Sequence, residues 1–457
     1  GAETVTADIH RNGDKYCFAV RATDAVYAQD GTILATNRAP VLSTNVVDQG
    51  DVQLTTHELI AASAGNHTIN IKNMGDINGD GRTDFAVSDS GQQKAYVFTS
   101  NATGAPTKLE LTKPADAGTS FGYRLAVADL DGNEHKDVVV SDIGGKNLHI
   151  YYGTDGSVNV ERGDKVTLLD AIYDIAGVDD YNGDGCDDLA VGQAFYDDPG
   201  DATTDDRTNR VLVLYGDDKG ASGKTCIGDY AAQVGVSHIG KAAGERFGYN
   251  VKKVGDIKKG ETAYGCFVGG HYDNVNPANA KITNGKVFYG SSSPTEARVT
   301  TYDFTVSGLS QIRTMFSGEL NGDDHADFAV ISGGGEIRFF FGSEAGTVFP
   351  GTWTEGVNRV TRSVIMDELV GVETGAWGVG NSGASEDVDG DGLADTFISG
   401  VQSQSLYSGR DTFFTAHPSV YLSLPVTSGN VQTTVLSYGL VICDRNADTG
   451  NCVLYYH

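Results

Sequence analysis

Three features of the chain predict an all-β fold made of repeated four-stranded sheets. Sixty of its 457 residues are glycine, only three are methionine, and Asp-Gly and Asn-Gly pairs are frequent, so turns are many and strands short. Between the turns lie brief runs rich in Val, Ile, Leu and Tyr, of the kind that suits a pleated, half-buried surface. One acidic loop recurs along the chain, each time immediately before such a run.

The clearest copy is "GDINGDGRTDFAVSD", residues 75–89. Asp76, Asn78 and Asp80 alternate, which lets a tight loop aim their oxygens at one point, as a hard cation requires. An EF-hand would carry a bidentate Glu at the twelfth position and a helix on either side. Here Asp84 closes the loop at the ninth position, and "DFAVSD" then alternates apolar and polar like a half-buried strand. The loop is therefore expected to be a hairpin turn between two strands.

The pattern returns as "DLDGNEHKDVVVSD" from Asp129, "DYNGDGCDDLAVGQ" from Asp180, "ELNGDDHADFAVIS" from Glu319 and "DVDGDGLADTFISG" from Asp387. Degenerate relatives stand near Asp256, Asp444 and Asp8. From Asp76 to Asp444 successive starts are 51 to 76 residues apart, room for four short strands with their turns, the size of a propeller blade. One unit shows the order: "FGYRLAVADL", the acidic loop, "DVVVSDI", "NLHIYYG" and "VNVERGDKVTLLD". A blade cannot bury both faces alone, so the units are expected to close into a ring. The last unit ends after two strand-like segments, at "CVLYYH", and the N-terminal segment is expected to complete it and hide both edges. The prediction is one β-propeller over residues 1–457 with eight four-stranded antiparallel blades, or seven if the first 65 residues supply only closing strands.

"FG" precedes a first strand at Phe121-Gly122 and Phe247-Gly248, with Trp377-Gly378 as a variant. Gap-like loops leading to a glycine-ended strand follow in "VGQAFYDDPGDATTDDRTNRVLVLYG" and "VGGHYDNVNPANAKITNGKVFYG". In these features the chain resembles the FG-GAP propellers typified by integrin α-subunit heads, over nearly its whole length. In that family the side chains at loop positions one, three, five and nine, with the carbonyl at position seven, hold calcium. The resemblance thus implies about four to five structural calcium sites. The first is Asp76, Asn78, Asp80, Arg82 (carbonyl) and Asp84; the second is Asp129, Asp131, Asn133, His135 (carbonyl) and Asp137. The third is Asp180, Asn182, Asp184, Cys186 (carbonyl) and Asp188, and the fourth Glu319, Asn321, Asp323, His325 (carbonyl) and Asp327, where Glu319 departs from the usual Asp. The fifth is Asp387, Asp389, Asp391, Leu393 (carbonyl) and Asp395. The unit at Asp256 has Lys258 at the third position and Gly260 at the fifth, and no metal is expected there.

A net charge of −28 argues against nucleic acid as a partner, because phosphate binding needs clustered Lys and Arg. No window reaches the roughly 18 apolar residues of a membrane span. No signal peptide is visible at "GAETVTAD", so a secreted protein would be seen here in its mature form. The six cysteines contain no CxxC pair, which weakens zinc and redox readings; up to three disulfides in an oxidising compartment are one alternative and buried thiols another. Cys443 and Cys452 flank one short acidic turn and could close it.

An enzyme is not expected: no HExxH or P-loop occurs, and His135 and His325 occupy loop turns. The family topology puts the acidic loops on one face and the gap-type loops on the face that receives ligands. There Phe195, Tyr196, His271 and Tyr272 stand among acids and amides, a mixture suited to sugars. Lys252, Lys253, Lys258 and Lys259 make one of the few basic clusters, able to receive an anionic polysaccharide or simply to face solvent. Arg162-Gly163-Asp164 reads as a turn. Calcium-loop blades, acidity and paired cysteines also resemble the propeller module of Vibrio biofilm-matrix adhesins, which carry an inserted β-prism. That likeness implies a secreted scaffold binding extracellular polysaccharide, with a lost or removed insertion near residues 290–297. An integrin-like protein-binding head is the alternative, and a propeller lyase or hydrolase a further one.

Overall fold

The computed structural model describes residues 57–61, 67–101, 105–142, 146–194, 209–217, 226, 247–256, 285–290, 315–318, 326–330, 340, 436, 441–443 and 452–454 with their side chains, and elsewhere only the backbone of strands. By its contacts the chain divides into residues 1–56 with 456–457, and residues 57–455. In the first, the strands described are Ala19–Val20 paired with Val41–Leu42, and Val26–Tyr27 paired with Ile33–Ala35. Asp8, near which an eighth unit was expected to start, lies outside the described residues.

From residue 69 onward the strands form successive sheets of the same plan, each an antiparallel meander in sequence order. The first holds Ile69–Gly75, Asp84–Asp89, Lys94–Thr99 and Thr107–Glu110. Phe121–Ala128, Asp137–Asp142, Asn147–Tyr151 and Asp164–Thr167 make the second. The third has Asp174–Gly177, Leu189–Gln193, Arg210–Leu214 and Gly235–Ile239, with Arg298–Val299 added in parallel. The fourth opens with Val251–Lys253, the fifth with Ile312–Gly318 and the sixth with Gly383–Glu386. Val431–Leu436, Gly439–Asp444 and Asn451–Tyr456 make a seventh, whose fourth strand is Thr55–Ile60. The N-terminal segment therefore completes the last sheet, as its missing strand requires. The opening strands of adjacent sheets neighbour one another in chain order, and that of the seventh neighbours that of the first.

Strand alternation explains how one sheet serves two cores. Val138 and Val140 pack with Met74, Ala86 and Val97 of the first sheet, while Val139 between them packs with Ile175, Leu189 and Val191 of the third. Ala190 faces the other way, to Phe247 and Val251. The second strands of the first three sheets, covered on both faces, are buried at every residue, including their polar ends.

The "FG" pairs at Phe121 and Phe247 mark close approaches between sheets. Phe121 and Phe247 are fully buried, and the glycines after them take φ of +90° and +85°. A Cβ on Gly122 would stand 2.9 Å from the Lys94 carbonyl oxygen, and one on Gly248 would stand 2.5 Å from that of Arg210. Lys94 and Arg210 both open the third strand of the preceding sheet. Glycine is required there by both the backbone conformation and the space.

Candidate metal centre

Each described acidic loop joins the first and second strands of its sheet, the hairpin turn expected from the ninth-position acid. Gly79, Gly81, Gly132, Gly183 and Gly185 take positive φ within these turns. Loop side chains fold inward onto loop N–H groups. In the first loop Asp76 accepts from Gly79, Asp80 and Gly81 at 2.7, 3.1 and 2.7 Å, Asn78 from Asp80 at 2.9 Å, and Asp80 from Arg82 at 2.9 Å. In the third, Asp180 accepts from Asp184 and Gly185 at 2.9 and 2.8 Å, and Asp184 from Cys186 at 3.0 Å.

The ninth-position carboxylate does a second job. Asp84, Asp137 and Asp188 are fully buried, and each bonds in two directions. One oxygen accepts from the start of its own loop: Ile77 at 3.0 Å, Leu130 at 2.7 Å and Asn182 at 3.1 Å. The other accepts the N–H just past the third strand: Ser100 at 2.7 Å, Gly153 at 2.7 Å and Gly216 at 2.8 Å. The acid thus ties its loop to the neighbouring hairpin, which explains why a strand follows it directly. Burial pushes the carboxyl of Asp84 up, and those of Asp137 and Asp188 well above the usual range, against these N–H groups. A cation beside them would favour the charged form.

The second loop meets the test for such a cation. Asp129, Asp131 and Asp137 each present an oxygen within 4.8 Å of the others. Two ligands on opposite sides of a calcium ion at about 2.4 Å are about 4.8 Å apart, so one ion fits among them. Asn133 adds an amide oxygen, which accepts from His135 at 2.8 Å. Hard oxygen donors suit calcium or magnesium rather than softer metals. In the third loop the cluster is Asp184 with Cys186 and Cys226, but those cysteines are disulfide-bonded and offer no thiolate.

Two disulfides are described, Cys186–Cys226 and Cys443–Cys452, the second closing the short turn the sequence suggested. Cys17 and Cys266 lie outside the described residues. So do Glu319, Asn321, Asp323, His325, Asp387, Asp389, Asp391, Leu393, Phe195, Tyr196, Lys258, Lys259 and the 290–297 junction beyond Gly290. Asp327 is fully buried at the head of strand Asp327–Ser332, where the pattern puts it. For Asp395, His271 and Tyr272 only the strand backbone is described, in Asp395–Ser399 and Phe267–Asp273.

Lys252 and Lys253 do not stand as a free basic patch: they pair with Asp174 at 4.0 Å and Asp179 at 2.7 Å. The Arg-Gly-Asp triplet is likewise tied down. Arg162 donates to Asp116 at 2.6 Å and His149 at 3.2 Å, Asp164 accepts the Tyr152 hydroxyl at 2.6 Å, and Gly163 lies against the Tyr152 ring.

Sequence reasoning missed what lies at the other end of the second strands. Asp89 accepts from His67 at 2.8 Å and Asp142 from His149 at 3.1 Å, with all four side chains fully buried. Burial alone would raise the Asp142 carboxyl, but bonds from His149, Gly118 and Asn147 outweigh it and hold it at about 2. The signal was visible: both strands end in Ser-Asp.

Comparison with known proteins agrees with this geometry. Residues 76–140 match the FG-GAP-like repeat. That span holds the first two acidic loops and Phe121-Gly122. The chain is similar to integrin alpha pat-2 of Caenorhabditis elegans, 30% identical over 150 residues, which covers 30% of this chain and 11% of that protein. It is also similar to integrin alpha pat-2 of Caenorhabditis briggsae, 29% identical over 172 residues, 35% of this chain and 13% of that protein. The matched stretch is thus a small part of those relatives. Among solved structures, BBS1N in complex with ARL6DN aligns with a TM-score of 0.46 at 10% identity, covering 88% of this chain and 95% of that one. Among the described residues no helix is long and apolar enough to cross a membrane.

Proposed function

We propose that the strands from Thr55 to Tyr456 form a seven-bladed, calcium-stabilised β-propeller that acts as an extracellular protein-binding head, without catalytic activity of its own. The observation that carries the reading is the repeated acidic hairpin, with its three-carboxylate cluster in the second loop, in a stretch matching the FG-GAP-like repeat. The reading of seven blades is supported by the cyclic order of opening strands and by Thr55–Ile60 serving as the last sheet's fourth strand. Calcium would be held by Asp129, Asp131 and Asp137 with Asn133 and the His135 carbonyl, and by the corresponding groups of the other loops. It offsets charges that otherwise repel one another in a chain of net charge −28.

A protein ligand is favoured over a polysaccharide on two grounds. The similar curated proteins are integrin α chains, and two of the four lysines first suited to an anionic glycan, Lys252 and Lys253, are paired with Asp174 and Asp179. Disulfides support an extracellular or cell-surface location. The ligand face is assigned to the ends of the sheets opposite the acidic loops. At those ends Gln193 and Asp273 close the second strands of the third and fourth sheets, and Arg210 and Lys281 open the third.

The test presents the full chain, in calcium and in EDTA, to a panel of extracellular matrix proteins and to a glycan array containing acidic exopolysaccharides. Calcium-dependent capture of a protein is expected. Binding to glycans alone, or shortening of a glycan on incubation, would replace this reading with the scaffold or the enzyme.

A further inference from the structure

We propose that Asp187, in the third loop, is a positioning residue for the cation site of the second loop: it holds the site's first ligand and keeps an ammonium group off it. The inference rests on the calcium reading above and carries it across a sheet boundary. Asp187 takes the eighth loop position, a spacer in the repeated pattern. Its N–H donates to the Asp129 carbonyl at 2.9 Å, and its Oδ2 accepts the Asp129 N–H at 2.8 Å. One residue of the neighbouring sheet thus grips the peptide groups on both sides of Asp129. The Asp217 N–H adds a bond to the Leu130 carbonyl at 2.9 Å. The backbone part of this clasp recurs: Ala326, eighth in its own loop, donates to the carbonyl of Asp256, first in the preceding one, at 3.0 Å.

The carboxylate has a further partner. Lys136, the eighth residue of the second loop, donates to the same Oδ2 at 2.8 Å, and its charge also feels Asp179 and Asp129. Asp179 already bears Lys253 at 2.7 Å. If Asp187 lost its charge, Asp129 would be the carboxylate left to draw the ammonium, which would then compete with a divalent cation for the site's first ligand. Asp187 therefore both orients Asp129 and occupies its rival.

The experiment measures calcium binding by the full chain, by titration calorimetry and by the calcium-induced rise in Tm. It compares the unaltered protein with Asp187→Ala, Lys136→Met and the double variant. Asp187→Ala is expected to weaken one calcium site about tenfold, within the usual range for coupled sites, and to shrink the calcium-induced rise. Adding Lys136→Met is expected to restore most of that affinity, whereas Lys136→Met alone leaves it unchanged or slightly tighter. A purely structural Asp187 would lower Tm equally in calcium and EDTA and leave affinity untouched. That result, or a loss that Lys136→Met does not relieve, overturns the proposal while the calcium reading stands. If the unaltered protein binds no calcium, both fall together. Should Asp187→Ala fail to fold, Asp187→Asn, which keeps an acceptor but no charge, is expected to show a smaller loss in the same direction; no loss there also overturns it.

Discussion

The "FG" glycine gives a sharp test of how the sheets meet. Gly122→Ala introduces two separable costs. Its φ of +90° is a conformation that side chains disfavour by about 1–2 kcal/mol. Its new Cβ would also stand 2.9 Å from the Lys94 carbonyl oxygen and 3.0 Å from that of Asp89, closer than a methyl group approaches a carbonyl. To relieve this, the first and second sheets must part by a few tenths of an ångström across a close-packed core, an overpacking cost of about 1–3 kcal/mol. The sum is about 2–5 kcal/mol. Gly156 is the internal control, because its φ of +72° is comparable yet nothing lies within 4 Å of where a Cβ would sit. Gly156→Ala should therefore show the conformational cost alone, about 1–2 kcal/mol. Urea unfolding of both variants at one fixed calcium concentration reads the difference directly. Equal losses would refute the claim that "FG" marks a close backbone approach and would leave it as an ordinary turn.

Three further outcomes are expected. Raising free calcium to about 100 times its Kd should add about 2.7 kcal/mol of stability per occupied site, read as a rise in Tm that Asp131→Asn diminishes; a Tm independent of calcium would count against structural occupancy. Asp142, held at about 2 when folded, contributes stability that is present above its unfolded pKa of about 4 and lost as pH falls through about 2. The stability gap between unaltered protein and Asp142→Asn should thus narrow by about 2 kcal/mol between pH 5 and pH 2, and a constant gap would refute the assignment. Reducing Cys186–Cys226, which spans 40 residues of sequence, should cost about 4 kcal/mol by loop entropy, against about 3 for Cys443–Cys452, which spans 9; single Cys→Ser variants at Cys226 and Cys452 check the order.

Much of this architecture was legible because the repeat places the same physical demand at the same offset. A ninth-position acid followed at once by Phe-Ala-Val or Val-Val-Val leaves no room for a helix, and Asp84 and Asp137 indeed sit in the first residue of a buried strand. The turn glycines and the closing of the 443–452 turn by a disulfide were readable for the same reason, since each is settled within a few residues. What sequence did not reveal depends on partners from elsewhere. Asp89 meets His67 from ahead of the first strand, Asp142 meets His149 from the third strand, and Lys252 meets Asp174 from another sheet. A cluster of lysines in sequence says nothing about the acids that folding brings to it.

The same distinction separates two roles that the loop pattern merges. The ninth-position acid was read as a cation ligand, yet its oxygens also receive N–H groups from its own loop and from beyond the third strand. Such an acid can hold its hairpin with or without an ion, although burial then pushes Asp137 well above the usual carboxylate range. The more exposed acids at positions one and five have less to lose: Asp76 and Asp80 bond only loop N–H groups and the Ser100 hydroxyl among the bonds described. On the calcium reading, a cation would therefore be needed less to form the turn than to stabilise the charge of the acid that clamps it. Removing calcium should then leave the hairpins in place but weaken the joint between loop and third strand. Amide exchange at Gly153 and Gly216, whose N–H groups donate to Asp137 and Asp188, reads that joint; protection unaffected by EDTA there would show that the clamp holds without the ion.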